Sequence, residues 1–371
     1  MNKLKMVCPC LFGLESVLAR ELKYIDAQEI SVTDGKVYFY GSFSTLIDAN
    51  INLRTAERVL IVMNEFEATT FEELFQGVFS VNWAEFIGQY DQFPVKGWSL
   101  NSTLKSIPAC QSIIKKAVVE KLKKSYNVAT FEESKTLYQI QFSIQKNKVS
   151  VMLDTSGVGL YKRGYRKTSI LAPIKETLAA GIVNLARVNA NSYVYDPCCG
   201  SGTLLIEACL YAFRIAPGLN RHFASENWSI IPKSEWNNGR QKAIAKINKN
   251  ASFLAFGSDI DPVAINIAKN NALKAGVASK INFELKPISK FNAQTENAII
   301  LCNPPYGERM LELEDAQKIY KTMGEKFSQK NNYSYYIISP DENFEKIFGK
   351  KATKRRKLYN GMLKCQLYMY F

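Results

Sequence analysis

Hydrophobic and polar positions divide the chain into two patterns. Over the first 155 residues short strands mix with single helices. Residues 4–9 read as a strand, and Leu14, Val17, Leu18, Leu22 and Ile25 then recur at helical spacing. A strand over 36–40, a segment over 44–50 and a strand-like run over 59–67 complete a small α+β unit. A helix from Phe71 toward Trp83 and a strand over 94–101 follow. Pro108 opens a helix that puts Ile113, Ile114, Ala117, Val118 and Leu122 on one face and lysines on the other. Strands over 137–144 and 148–154 form a hairpin around Lys146-Asn147.

From Ser169 onward helix and strand alternate: helices over 172–187, 202–212, 262–275 and 316–328, strands over 192–195, 253–257, 281–285, 298–302 and 334–339. Such alternation predicts a mostly parallel sheet with helices on both faces. The last residues change period. Leu363, Cys365, Leu367, Met369 and Phe371 alternate with polar and tyrosine positions, behind the turn signal Asn360-Gly361. A parallel sheet closed by an antiparallel hairpin is the architecture of class I methyltransferases.

Composition narrows the chemistry. The 371 residues contain one histidine, His222, so a zinc site of H-E-x-x-H type is impossible and a histidine-based triad would depend on that residue alone. Eight cysteines lack paired C-x-x-C spacing and are too dispersed for a disulfide framework. No metal is expected. No run of about 18 apolar residues suggests a membrane span, and Pro9 and Glu15 interrupt the only leader-like stretch, so a cytoplasmic location is expected.

The formal net charge is +14. The first 155 residues are nearly neutral, and the excess builds from Lys162-Arg163-Gly164-Tyr165-Arg166-Lys167 toward Lys350–Lys357. Inside the neutral part lie Lys105, Lys115, Lys116, Lys121, Lys123 and Lys124, opposed by Glu120. Clusters of this kind suit a polyanion. These six lysines, with Arg163 and Arg166, are the candidate nucleic-acid contacts, and charge alone does not separate RNA from DNA.

Three motifs sit at predicted strand ends. In Asp196-Pro197-Cys198-Cys199-Gly200-Ser201-Gly202-Thr203, Gly200 and Gly202 allow a tight turn and a close ligand approach. Leu205 breaks the dinucleotide fingerprint, no P-loop lysine follows, and Asp196 suits an amino group better than a phosphate. In Gly257-Ser258-Asp259-Ile260-Asp261-Pro262, Asp259 is placed for ribose hydroxyls and Asp261 for capping the helix at Pro262. In Cys302-Asn303-Pro304-Pro305-Tyr306-Gly307, the Asn303 side-chain oxygen and the rigidly held Pro304 carbonyl offer two acceptors to one exocyclic amine. Tyr306 offers a ring for a base to stack on.

Together these motifs resemble the S-adenosylmethionine-dependent guanine-N2 methyltransferases of large-subunit (23S) ribosomal RNA. The linker from Leu153 to Arg166, the run Ala172-Pro173-Ile174-Lys175-Glu176 and the continuation Gly307-Glu308-Arg309 are similar too. The resemblance implies an α/β fold in three parts: a ferredoxin-like domain over 1–65, a THUMP RNA-binding domain over 66–158 and a class I, Rossmann-like methyltransferase domain over 159–371. It implies S-adenosylmethionine as cofactor, bound by Asp196, Cys198, Gly200, Gly202 and Asp259 with Lys175 and Glu176 flanking. Asn303, Pro304, Pro305 and Tyr306 would handle the amine. The partner would be 23S ribosomal RNA or a large-subunit assembly intermediate. The chain departs from many class I enzymes in having Pro287 where an acidic residue often binds the adenine amine, and one methyltransferase activity is expected rather than the fused pair of some relatives. A tRNA guanine-N2 enzyme, an adenine-N6 DNA enzyme, a glutamine-N5 protein enzyme and a non-catalytic assembly factor are the alternatives. The stretch 217–236, with Arg221, Trp228 and Trp236, is either base-pocket lining or loop packing.

Overall fold

The computed structural model describes residues 3–166, 173–307, 313–327 and 332–371. Lys167, Ser169, Ala172, Glu308 and Arg309, named above, lie outside them, as does residue 328 of the expected helix.

The N-terminal part runs β1 (Leu4–Pro9), α1 (Glu15–Lys23), β2 (Gln28–Thr33), β3 (Lys36–Gly41), α2 (Phe43–Asn52), β4 (Leu60–Glu67), α3 (Phe71–Phe79), β5 (Val95–Leu100), α4 (Ile107–Tyr126), β6 (Ile140–Gln145) and β7 (Lys148–Asp154). Its seven strands form one sheet in the order β2-β3-β1-β4-β7-β6-β5. The expected boundary at 65/66 falls inside β4. That strand pairs with β1 through Met6–Ile61 and with β7 from Leu60–Asp154 to Glu67–Lys148. The ferredoxin-like and THUMP parts therefore share hydrogen bonds and one hydrophobic core, from Met6 and Phe39 through Trp83 and Tyr138. Local chemistry sets the helix starts. Thr70 and Glu73 form a reciprocal capping box on α3, and Ser106 caps α4, whose Cys110, Ile114, Ala117, Val118 and Leu122 are buried.

The second part runs α5 (Glu176–Leu185), β8 (Tyr193–Asp196), α6 (Thr203–Ala212), α7 (Lys233–Ala245), β9 (Leu254–Asp259), α8 (Pro262–Lys274), β10 (Ile281–Leu285), β11 (Ile299–Cys302), α9 (Leu313–Phe327), β12 (Ser334–Ser339), α10 (Phe344–Phe348), β13 (Lys354–Asn360) and β14 (Leu363–Tyr370). The sheet order is β10-β9-β8-β11-β12-β14-β13. The first five are parallel, and the terminal hairpin is antiparallel. Strand order reverses at β8, which has β9 on one side and β11 on the other, and ligands of open α/β sheets bind outside the carboxyl ends at such a point.

Helix α5 begins at Glu176, so Pro173–Lys175 is an irregular approach to it. Strand β2 and helix α7 were not visible in the periodicity: β2 is polar and mostly exposed, and α7 buries only Trp236, Gly239 and Ala243. The stretch around α7 packs as structure. Trp228 stacks on Tyr138 with ring centroids 4.6 Å apart, and Trp236 on Phe223 at 5.3 Å. Arg221 donates to the carbonyls of Val158, Gly159 and Lys162. Residues 216–243 thus contribute side chains to the N-terminal core, and the packing alternative describes them. His222 is exposed and touches Glu226.

Candidate functional site

A cleft of about 740 Å³ opens at the carboxyl ends of β8, β9 and β11. Asp196, Cys198, Gly200, Asp259, Asn303, Pro304, Pro305 and Tyr306 line it together, as does Lys175. Asp196 and Asn303, 107 residues apart in sequence, thus meet in one cavity because their strands are neighbours.

Asp196 ends β8 and is buried. Burial pushes its carboxyl up to about 8, helped by the nearby Asp259 charge and opposed by the Cys198 N–H, which donates to Oδ1 at 3.1 Å. A buried carboxyl with so little compensation is a place for a cation to bind. Asp259 ends β9. Its Oδ2 accepts from the Gly200 N–H at 2.9 Å and its Oδ1 from the Asp261 N–H at 3.1 Å, which leaves lone pairs on both oxygens. Asp261 caps α8 through the Val263 N–H at 2.8 Å, as expected of it. Gly202 sits at φ +79°, and a Cβ there would press on Phe283 and Ala268. Thus an L-side chain would strain the loop that carries Gly200. Apolar Ile174, Leu204, Ile260 and Ile288 complete the wall. Ile288, rather than Pro287, reaches the cavity.

The amine-handling loop follows β11. Asn303 Oδ1 accepts from the Tyr306 hydroxyl at 2.5 Å, and the Pro305 carbonyl accepts from the Tyr320 hydroxyl at 3.0 Å. Burial pushes the Tyr306 hydroxyl well above its usual range, so it stays protonated. Sequence reasoning missed part of the site. Asn360–Leu363, at the tip of the β13–β14 hairpin, also line the cleft. Because β14 runs antiparallel to β12, the turn before it must lie at the carboxyl edge. That signal was available in the period switch.

Two flanking residues separate. Lys175 reaches the cleft, where its Nζ is 3.2 Å from Glu57, a carboxylate that also accepts from Thr177. Glu176 does not line it. Its carboxylate is buried against Arg166 at 2.8 Å, and burial nonetheless pushes it up to about 7.

The candidate RNA contacts divide as well. Lys105, Lys116 and Lys124 are exposed and Lys121 is half-buried. Lys121 and Lys124 stand over the Phe79 ring, and Lys116 lies near Phe75. Lys115 is paired with Glu133 at 2.5 Å and Lys123 with Glu120 at 3.1 Å. Arg163 and Arg166 are corrections: neither is displayed to a polyanion. The Arg163 guanidinium is buried, donates to the Leu160 and Arg54 carbonyls, and lies 3.6 Å from Glu207. Arg166 is held by Glu176 and the Ile174 carbonyl.

Family comparisons agree with this construction. Residues 163–369 match the RMKL-like methyltransferase domain, 5–60 the RlmL ferredoxin-like domain and 68–154 the THUMP domain. The chain belongs to the RMKL-like methyltransferase family. Members similar to it include YpsC of Bacillus subtilis (strain 168), named a putative RNA methyltransferase, 42% identical over 373 residues that cover 100% of this chain and 97% of YpsC. The ribosomal RNA large subunit methyltransferase K/L of Desulfotalea psychrophila (strain LSv54 / DSM 12343) is 30% identical across 96% of this chain, which spans only 51% of that enzyme. The crystal structure of SMU.472, a putative methyltransferase complexed with SAH, superimposes with a TM-score of 0.95 at 36% identity, covering 100% of this chain and 98% of that one. The family's cofactor, S-adenosylmethionine, fits the residues present: the buried Asp196 carboxyl would suit its ammonium, and the lone pairs left on Asp259 its ribose. The chain is an S-adenosylmethionine-dependent methyltransferase.

Proposed function

We propose that this enzyme methylates the exocyclic N2 amine of a guanine in large-subunit ribosomal RNA, as free RNA or within an assembly intermediate. The observation that carries the reading is Asn303, which lines the same cleft as Asp196 and Asp259 at the end of β11. The THUMP part and the Lys105, Lys116, Lys121 and Lys124 surface support RNA as the substrate, and the names of similar proteins point the same way.

The amine of a nucleobase is a weak nucleophile because its lone pair is delocalised into the ring. Asn303 Oδ1 and the Pro304 carbonyl accept its two N–H bonds and favour a pyramidal nitrogen. The lone pair is then freed for attack. Bound in the cleft, S-adenosylmethionine supplies an activated methyl on a sulfonium that leaves as a neutral thioether. Neither amide oxygen is basic enough to keep a proton. The amine therefore sheds one to water once the new N–C bond makes it acidic. Fixing the amine in place contributes the rest of the acceleration. The Tyr306 ring offers a stacking face to a base held out of its helix.

The test is tritiated cofactor supplied with separated ribosomal RNA, tRNA and DNA, followed by nucleoside analysis. N2-methylguanosine in the large-subunit RNA is the expected product. Label confined to tRNA, or N6-methyladenine in DNA, overturns the assignment.

A further inference from the structure

Asn360 closes a hydrogen-bonded chain that begins at the acceptor of the reaction. Its Nδ2 donates to the Tyr306 hydroxyl at 3.2 Å, and that hydroxyl donates to Asn303 Oδ1 at 2.5 Å. The direction follows from chemistry: an amide N–H can only donate, so the tyrosine oxygen accepts and its proton points to Asn303. That oxygen has two lone pairs, so one holds the Tyr306 hydroxyl and the other is left for the target amine. The Tyr306 hydroxyl thereby fixes the direction in which Asn303 presents its free lone pair.

We propose that Asn360 is a positioning residue that holds the Tyr306 hydroxyl, and through it the Asn303 oxygen, in place for the target amine. The hydroxyl goes on accepting from Asn360 Nδ2 and donating to Asn303 Oδ1 when the amine arrives at the second lone pair. The ring then stays against the base instead of swinging free.

The tip is built to hold such a residue still. Arg356, four residues before it on β13, donates to the Gly13 carbonyl and to Ser16 Oγ, both at 2.7 Å. Phe12 packs edge-on to Tyr359 with centroids 6.0 Å apart. A Cβ on Gly13, at φ +91°, would collide with the Lys357 carbonyl. The β1–α1 turn and the start of α1 thus clamp the hairpin just behind Asn360.

The proposal rests on the amine-transfer reading of Asn303, and the experiment separates the two. Full-length wild type, Asn360→Ala, Tyr306→Phe, the double variant and Asn303→Ala are compared by single-turnover methylation of the ribosomal RNA identified above. Binding of S-adenosylhomocysteine reports whether each variant keeps its fold. Asn360→Ala is expected to lower kcat about tenfold, the loss typical of one neutral hydrogen bond, with the RNA KM within about twofold. In the Tyr306→Phe background the same change should alter the rate less than about twofold, because its partner is gone. Additive losses overturn the proposal, as does a rise in KM without a fall in kcat. Wild-type kcat in Tyr306→Phe also overturns it, since the hydroxyl would then position nothing for Asn360 to support. Wild-type turnover in Asn303→Ala would instead overturn the underlying reading, whatever the double variant shows.

Discussion

The two basic stretches of this chain look alike as sequence and are opposite as structure. The lysines of α4 lie on the polar side of an amphipathic helix whose other face is buried, so their charge is carried outward. The stretch Lys162–Arg166 instead turns Arg163 into the protein, against Glu207 and two carbonyls, and spends Arg166 on Glu176. The difference comes from the neighbours. On α4 the apolar positions recur at helical spacing, which forces the lysines to solvent. Around Arg163 the buried Glu207 of α6 and the exposed-carbonyl turns at Leu160 and Arg54 create a demand for a planar cation with many donors. Net charge therefore counts cations without locating them.

Breaking the inward stretch should give the largest effect. Arg163→Ala leaves the buried Glu207 with only the Arg54 charge and the Tyr165 hydroxyl and strips two carbonyls of their donors, and should cost about 2–4 kcal/mol of stability, read by denaturant unfolding. A loss under about 1 kcal/mol would return Arg163 to the surface set. Next comes the outward stretch. Changing Lys116, Lys121 and Lys124 together to Gln should weaken RNA binding roughly ten- to a hundredfold near physiological salt and flatten its salt dependence, with little change in melting temperature. An unchanged salt slope would remove α4 from the footprint.

A buried acid sharpens the same contrast. Asp196 is the acidic counterpart of Arg163, buried at the cleft wall but given no cation by the described residues. Its carboxyl, raised to about 8, holds a proton at lower pH in the free enzyme. An ammonium-bearing cofactor binds the ionised form. Affinity should therefore fall as pH drops below about 8, by up to roughly tenfold per unit, and Asp196→Asn should abolish the slope. Titration calorimetry between pH 6 and 8 reads it. The smallest effect is expected from Lys115→Gln. That lysine is paired with Glu133 and lies 3.6 Å from the Phe93 ring centroid, so RNA binding should barely change and stability should drop by about 1 kcal/mol or less.

The parts legible in the sequence were those governed by short-range chemistry. Strand-end motifs placed Asp196, Asp259 and Asn303 in one cleft because a parallel sheet brings its carboxyl ends together. Capping marked Asp261, and alternation marked β14. What stayed hidden depended on contacts across long separations. Arg163 needs Glu207 to explain it, and Trp228 needs Tyr138. Asn360 reads as a turn residue until β12 shows which edge the turn occupies. The single sheet made by the first two parts was equally invisible, since nothing in 60–67 says that both its edges are paired.

The segment 216–243 has a practical side. It belongs by chain order to the catalytic half yet lends Phe223, Trp228, Ile231 and Trp236 to the other half's core. A fragment from about 159 onward would surface with four large apolar side chains uncovered, a sticky patch rather than a working enzyme. The two halves are thus riveted rather than hinged. Whatever the N-terminal sheet grips is held at a fixed offset from the cleft, like work held in a jig, and the distance between grip and reaction becomes a ruler for which nucleotide is reached.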